Sequence, residues 1–234
     1  MPQVFLNKAL SVLKPTWTRY NELRLGIRTE PDRSDHQRRS PGRPWWRGER
    51  SKAARHDDNF DYATIDYWNM RNVVRVLKPG PEDVFYDIGC GMGRILCVMA
   101  RHPLRKCIGV ELSEPLCQIA RRNAAKLRGR KAPIEIVCGD ATTADLGDGT
   151  IYFMFNPFGA ESLRDTLENL RNSLLRKPRP VRLVYYNSTF EHEFESVGWL
   201  EKIRHFNSFG GHRITLWRSR FFEGGVFNSL GGAR

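Results

Sequence analysis

The sequence has five cysteines and no CxxC pair: Cys90, Cys97, Cys107, Cys117 and Cys138 stand apart within one segment. An odd, unpaired set argues against both a disulfide framework and a structural zinc site. Thiols in apolar surroundings act as small hydrophobes, and the compartment they imply is a reducing cytoplasm. The six histidines show no ligand spacing, so no metal is expected. Nothing approaches the roughly 18 apolar residues of a membrane span. The opening MPQVFLNKALSVLK is broken by Asn7, Lys8 and Lys14 and lacks a small-residue cleavage site, so it reads as an amphipathic helix rather than a signal peptide. No internal repeat is present.

What is abundant is positive charge. Lys and Arg total 38 against 26 Asp and Glu, a formal charge of +12 on 234 residues. Hydrophobic residues are 40%, enough for a real core. The charge is unevenly spread. Between Pro31 and Arg55 stand eight basic and three acidic residues, in a stretch rich in Arg, Pro, Ser and Gly and poor in aliphatics. Such a stretch cannot bury enough apolar surface to fold alone, and it reads as a flexible basic arm. With Trp45 and Trp46 it could grip phosphates and stack bases, so a nucleic-acid partner through the arm stays open.

From Asp61 onward helical and strand patterns alternate. Thr64–Lys78 reads as a helix with Ile65, Trp68, Val73 and Val76 on one stripe, stopped by Pro79–Gly80–Pro81. Strands are expected at Val84–Asp87, Cys107–Glu111, Ile134–Cys138, Ile151–Asn156, Val181–Asn187, Leu200–Phe206 and His212–Arg218, the last two paired through Gly210–Gly211. Strands separated by helices specify an α/β, doubly wound, mostly parallel seven-strand sheet with an antiparallel C-terminal edge hairpin. A basic N-terminal extension precedes it, with Pro15 interrupting its first helical pattern. The expected divisions are residues 1–60 as helix and arm, 61–219 as the α/β domain, and 220–234 as a tail.

The run Asp87-Ile88-Gly89-Cys90-Gly91-Met92-Gly93-Arg94 leaves the first strand, turns and enters a helix, where open α/β sheets bind ligands. Glycines there allow a tight turn and close backbone approach, and the helix start offers free N–H groups. Counted from Gly89, the dinucleotide fingerprint wants a glycine where Arg94 stands; counted from Gly91, it meets Leu96. No Gly-Lys-Ser/Thr follows, so the P-loop fails as well. Further acids stand at later strand ends, Glu111 after the second and Asp140 after the third. Asn156-Pro157-Phe158-Gly159 follows the fourth.

The D-x-G-x-G-x-G run resembles the class I S-adenosylmethionine-dependent methyltransferases, a Rossmann-like seven-strand family, and the likeness covers roughly residues 61–219. It implies S-adenosyl-L-methionine as cofactor. By resemblance the Asp87, Gly89, Gly91 and Gly93 loop wraps the methionine part, Glu111 takes the ribose hydroxyls, and Asp140 the adenine amino group. Tyr62, Thr64 and Tyr67 belong to a segment that in this family folds over the cofactor. Thr64 is expected at its carboxylate, and Tyr62 and Tyr67 along the transfer channel, with Tyr185 and Tyr186 as the opposite wall. Asn156, Pro157 and Phe158 match, with the second proline missing, the Asn-Pro-Pro-aromatic motif of amino-directed methyltransferases. A nearer likeness is to the seven-strand protein-lysine methyltransferases. A protein lysine is therefore the expected acceptor, with RNA or a non-catalytic cofactor-binding module as the alternatives. No membrane partner is expected, and the oligomeric state is left open.

Overall fold

The computed structural model describes residues 2–30 and 54–220, with side chains from Lys14 onward. The basic run with Trp45 and Trp46, and the tail after Arg220, lie outside the described residues. Helix α1 (Pro2–Leu25) is followed by α2 (Tyr67–Leu77), β1 (Val84–Ile88), α3 (Arg94–Met99), β2 (Lys106–Glu111), α4 (Glu114–Lys126) and β3 (Ile134–Cys138). Then come β4 (Ile151–Phe155), α5 (Ala160–Arg176), β5 (Arg182–Tyr186), α6 (Glu191–Ser196), β6 (Leu200–Asn207) and β7 (Arg213–Ser219). The strands form a seven-stranded sheet in the order β3-β2-β1-β4-β5-β7-β6. The first five are parallel, and β7 and β6 close the edge antiparallel.

The apolar runs of the central strands follow from burial on both faces. Along β1, Phe85 joins one core cluster while Val84, Tyr86 and Ile88 join the other. In β4 the split is Ile151 and Phe153 against Tyr152 and Met154. The first face is covered by α2 and α3, the second by Leu163, Leu167, Leu170 and Leu174 of α5 and Phe194 of α6. Each such side chain, fully buried, contributes roughly 1.5–3 kcal/mol of transfer free energy.

Two sequence expectations change. The helix expected from Thr64 begins at Tyr67, because Asp66 caps it by accepting from the Asn69 N–H at 2.9 Å. Its buried stripe is therefore Tyr67, Met70, Val73 and Leu77, and Trp68 is exposed. Helix α1 also runs through Pro15. The ring deletes one helical hydrogen bond, yet the later turns bury Thr18, Asn21 and Leu25, and that packing holds the helix. Leu25 and Ile27 enter the first core cluster, so the end of α1 is packed on the sheet's own core.

Away from the strands' C-terminal edge, Arg179 closes the loop between β3 and β4. Its guanidinium donates to the Gly149 and Leu146 carbonyls (both 2.7 Å), to Ser173 Oγ (2.9 Å) and to the Tyr152 hydroxyl (2.9 Å). Replacing it with Met leaves these acceptors short of a donor. Arg179→Met should cost about 2 kcal/mol of unfolding free energy, read by urea denaturation; a loss within error would remove this role.

Candidate functional site

The strands β1 to β5 all end at one edge, and β7, running the other way, starts there. Above that edge lies a cavity of about 1230 Å³ bordered by Gly89, Gly91, Glu111, Asp140, Asn156 and Thr64. Glu111 ends β2, and its carboxylate is fixed twice: one oxygen accepts from the Gly91 N–H at 2.8 Å, the other from the Ser113 N–H at 2.9 Å. Burial pushes its pKa up, against those backbone bonds. Asp140 accepts from the Thr142 N–H and, through its other oxygen, from the Arg55 N–H, each at 2.8 Å.

The segment 54–66 lies across this edge. Asp58 holds it down by accepting from Ser162 N–H and Oγ–H at the start of α5, while its carbonyl takes the Gly159 N–H at 2.7 Å. Phe60 N–H donates to the Pro157 carbonyl at 3.1 Å. Tyr62 packs on Gly91 so closely that a Cβ there would meet its ring at 2.2 Å, and its hydroxyl donates to the Thr29 carbonyl at 2.7 Å. Gly89 is equally confined: a Cβ would sit 2.5 Å from Pro157, and its φ of +75° is left-handed.

Asn156 also has a positive φ, +41°, and its Oδ1 accepts from the Tyr185 hydroxyl at 2.7 Å. That hydroxyl in turn accepts from Phe190 N–H at 3.3 Å. Tyr185 is thus fully buried and supports Asn156 from behind, whereas Tyr186 borders a groove. Pro157 and Phe158 border the cavity too, Phe158 being 6% exposed and seated in the second core cluster.

Three expected site residues do not border the cavity. Asp87 is buried behind the glycine loop, and burial together with nearby Glu111 pushes its carboxyl well above the usual range. Gly93 caps α3, and a Cβ there would meet Ala120 of α4 at 3.3 Å, so it serves helix packing. Tyr67 lies in the first core cluster, its ring 5.1 Å from the Arg94 guanidinium. Cys90, fully buried, has its thiol pushed up by burial and stays protonated.

Arg94, which stands where the dinucleotide fingerprint wants a glycine, is buried in a network of its own. It is 3% exposed and bonds Glu30 (2.5 Å), Glu22 (3.4 Å), Thr29 Oγ1 (2.6 Å) and the Ile65 carbonyl (3.2 Å). It ties α1 and the segment after it to the helix that follows the glycine loop. His212 was not expected at the site. Its ring lies against Phe155 and Tyr186, and it borders both the cavity and a second groove of about 1430 Å³ between α1 and α4. The signal was available: the residue just before a strand antiparallel to β5 stands at the edge where β5 ends.

Residues 85–177 match the family model described as a methyltransferase domain. A protein-lysine N-methyltransferase of Saccharolobus islandicus (strain REY15A) is 30% identical over 134 residues, 57% of this chain and 76% of that protein. The chain belongs to the class I S-adenosylmethionine-dependent methyltransferases. Among solved structures, the ribosomal protein L11 methylase of Lactobacillus delbrueckii subsp. bulgaricus shares the methyltransferase fold at 16% identity, with a TM-score of 0.51 over 65% of this chain and 76% of that one. The methyltransferase uses S-adenosylmethionine as its cofactor. Among the described residues no helix is long and apolar enough to cross a membrane.

The Arg94 clamp yields a stability test. Replacing it strands the largely buried Glu22 carboxylate without its cation, so Arg94→Met should destabilise the methyltransferase by about 3 kcal/mol in chemical denaturation. A loss below about 1 kcal/mol would contradict a buried clamp.

Proposed function

We propose that the methyltransferase transfers a methyl group to the side-chain amine of a lysine in a protein substrate, with the cofactor in the cavity above the sheet edge. One observation carries the reading: Glu111, Asp140 and Asn156, from three successive strand ends, border a single cavity. The residues fit the cofactor chemically. Gly89 and Gly91 give the close backbone approach its methionine part needs. Glu111 keeps unused lone pairs for the ribose hydroxyls, Asp140 faces the adenine amino group once Arg55 yields, and Thr64 serves the carboxylate. Asp87, buried beside Glu111, is an acid in want of a cationic neighbour.

When bound, the cofactor supplies an electrophilic methyl group on a sulfonium. The chain's part is placement. Asn156 Oδ1, held by the Tyr185 hydroxyl, has a second lone pair for an N–H of the arriving amine. The Pro157 carbonyl, now bonded to Phe60, can add another. Such acceptors turn the amine's lone pair toward the methyl group and stabilise the positive charge that grows on nitrogen. Phe155, Tyr186 and His212 wall the mouth through which a lysine would enter, with Tyr62 and Phe158 at the cavity, while Tyr67 supports the covering segment from the core. The likeness to a protein-lysine N-methyltransferase favours a protein amine.

A second reading keeps the transfer and changes the acceptor to RNA. Its support is the groove between α1 and α4, which carries Lys14, Arg19, Arg122 and Lys126 and leads to the same mouth. One experiment separates the two. Incubated with methyl-labelled cofactor and a cell extract, the methyltransferase should label material that protease destroys and ribonuclease spares, with methyl-lysine in the hydrolysate. Label lost to ribonuclease would overturn the lysine reading in favour of RNA.

The buried Asp87 gives a pH test. Burial and the neighbouring Glu111 push its carboxyl well above the usual carboxylate range, and the Cys90 thiol is also near. A cationic ligand favours the ionised form, so binding should release a proton and cofactor affinity should rise with pH across the raised pKa. Calorimetry in buffers of different ionisation enthalpy should show that release in the native protein and lose it in Asp87→Asn, with affinity roughly tenfold weaker. A pH-independent native affinity would remove Asp87 from the cofactor's charge.

A further inference from the structure

At the rim of the cavity proposed for the cofactor stands a second constellation, which the proposed methyl transfer does not use. Glu114 opens α4, Cys117 follows three residues later on the same helical face, and Cys138 ends β3, the strand against which α4 packs. A carboxylate oxygen and two thiol sulfurs from these residues lie within 4.8 Å of one another. Glu114 and Cys138 are exposed, so an ion can reach them from solvent, while Cys117 is buried and closes the inner side. We propose that Glu114, Cys117 and Cys138 form a binding site for a thiophilic divalent cation, zinc foremost, whose occupancy weakens cofactor binding.

The donor set decides the class of ion. Two thiolates and a carboxylate suit zinc, whereas magnesium and calcium want oxygen alone. Three protein ligands leave one tetrahedral position open for water. On binding, each thiol gives its proton to solvent and forms one sulfur–zinc bond; no electron is transferred. With two thiolates and one carboxylate the ligands carry three negative charges, reduced by Arg121, which bonds Glu114 at 3.1 Å and reaches the Ile136 carbonyl at 3.4 Å. The sequence hid this site, because the two cysteines stand 21 positions apart and no short motif joins them.

The link to the cofactor runs through Glu111. Cys117 Sγ donates to the Glu111 carbonyl at 3.3 Å, and Cys138 is the register partner of Glu111 across β2 and β3. A zinc-bound thiolate has no proton to donate, so that hold on the end of β2 is lost. Glu114 and Cys138 also border the cavity with Glu111, and drawing both onto an ion reshapes the rim. By linkage, cofactor and ion must weaken each other's binding by the same factor.

The test uses the full-length protein without a tag, reduced with a phosphine that leaves no competing thiol. Zinc chloride alone, titrated against a chromophoric chelator, should load one equivalent, and Cys138→Ser and Glu114→Gln should weaken it about 100-fold and about 10-fold. Cobalt in place of zinc should show a thiolate charge-transfer band that Cys138→Ser removes. Saturating zinc should lower S-adenosylmethionine affinity at least about fivefold in the native protein and leave the Cys138→Ser variant unchanged. Equal zinc affinity in native and variant proteins, or no cobalt–thiolate band, would overturn the site. Zinc binding with unaltered cofactor affinity would overturn the coupling.

Discussion

The geometry of the cavity depends on one carboxylate. Glu111 stands at the end of β2 and accepts a backbone N–H from Gly91 with one oxygen and from Ser113 with the other. It thereby joins the glycine loop to the start of α4, and Asn123 further along that helix adds a bond to the Met92 carbonyl at 2.9 Å. Burial raises the cost of its charge, and the backbone donors offset part of that cost, so the group is held in one place. A cavity whose acid is already oriented loses little freedom when a ligand's hydroxyls arrive.

A second anchor works from the opposite side of the glycine loop. Arg94 gathers Glu22, Glu30, the Thr29 hydroxyl and the Ile65 carbonyl around a buried guanidinium, and the Tyr62 hydroxyl donates to the Thr29 carbonyl. The N-terminal helix, the covering segment and α3 are therefore linked. Asp58 at α5 and Phe60 on Pro157 extend that cover over the acceptor side. Residues before Asp61, read from composition as an extension, thus help to shape the cavity.

How much of this the sequence disclosed follows from how local each signal is. All seven strands were legible: β1, β2, β4 and β5, buried on both faces, read as apolar runs between turn residues, and the more exposed β3 and β6 as short β-branched or alternating runs between such turns. The glycine loop, Glu111, Asp140 and Asn156 were legible as well, since each sits at a strand end and their order follows the sheet. Arg94 was not, because its burial is made by a helix some 70 residues earlier in the chain. Pro15 misled, because tertiary packing of Thr18, Asn21 and Leu25 outweighs one lost hydrogen bond. Tyr67 was expected along the transfer channel, and the start of α2 at the Asp66 cap puts it on that helix's core face instead. The Glu114–Cys117–Cys138 group arises from a helix and a strand meeting, which spacing along the chain does not encode.

The account's central claim is that the cofactor occupies the cavity built on Glu111. Isothermal calorimetry of S-adenosylmethionine against the native protein and against Glu111→Gln tests it most directly. Gln keeps the side chain's size but loses the charge and one acceptor oxygen, at a group with two backbone donors and two ribose hydroxyls to satisfy. The account predicts measurable binding to the native protein and a loss of about 100-fold or more in the variant, with the fold intact by circular dichroism. Equal affinity in the two proteins would contradict it.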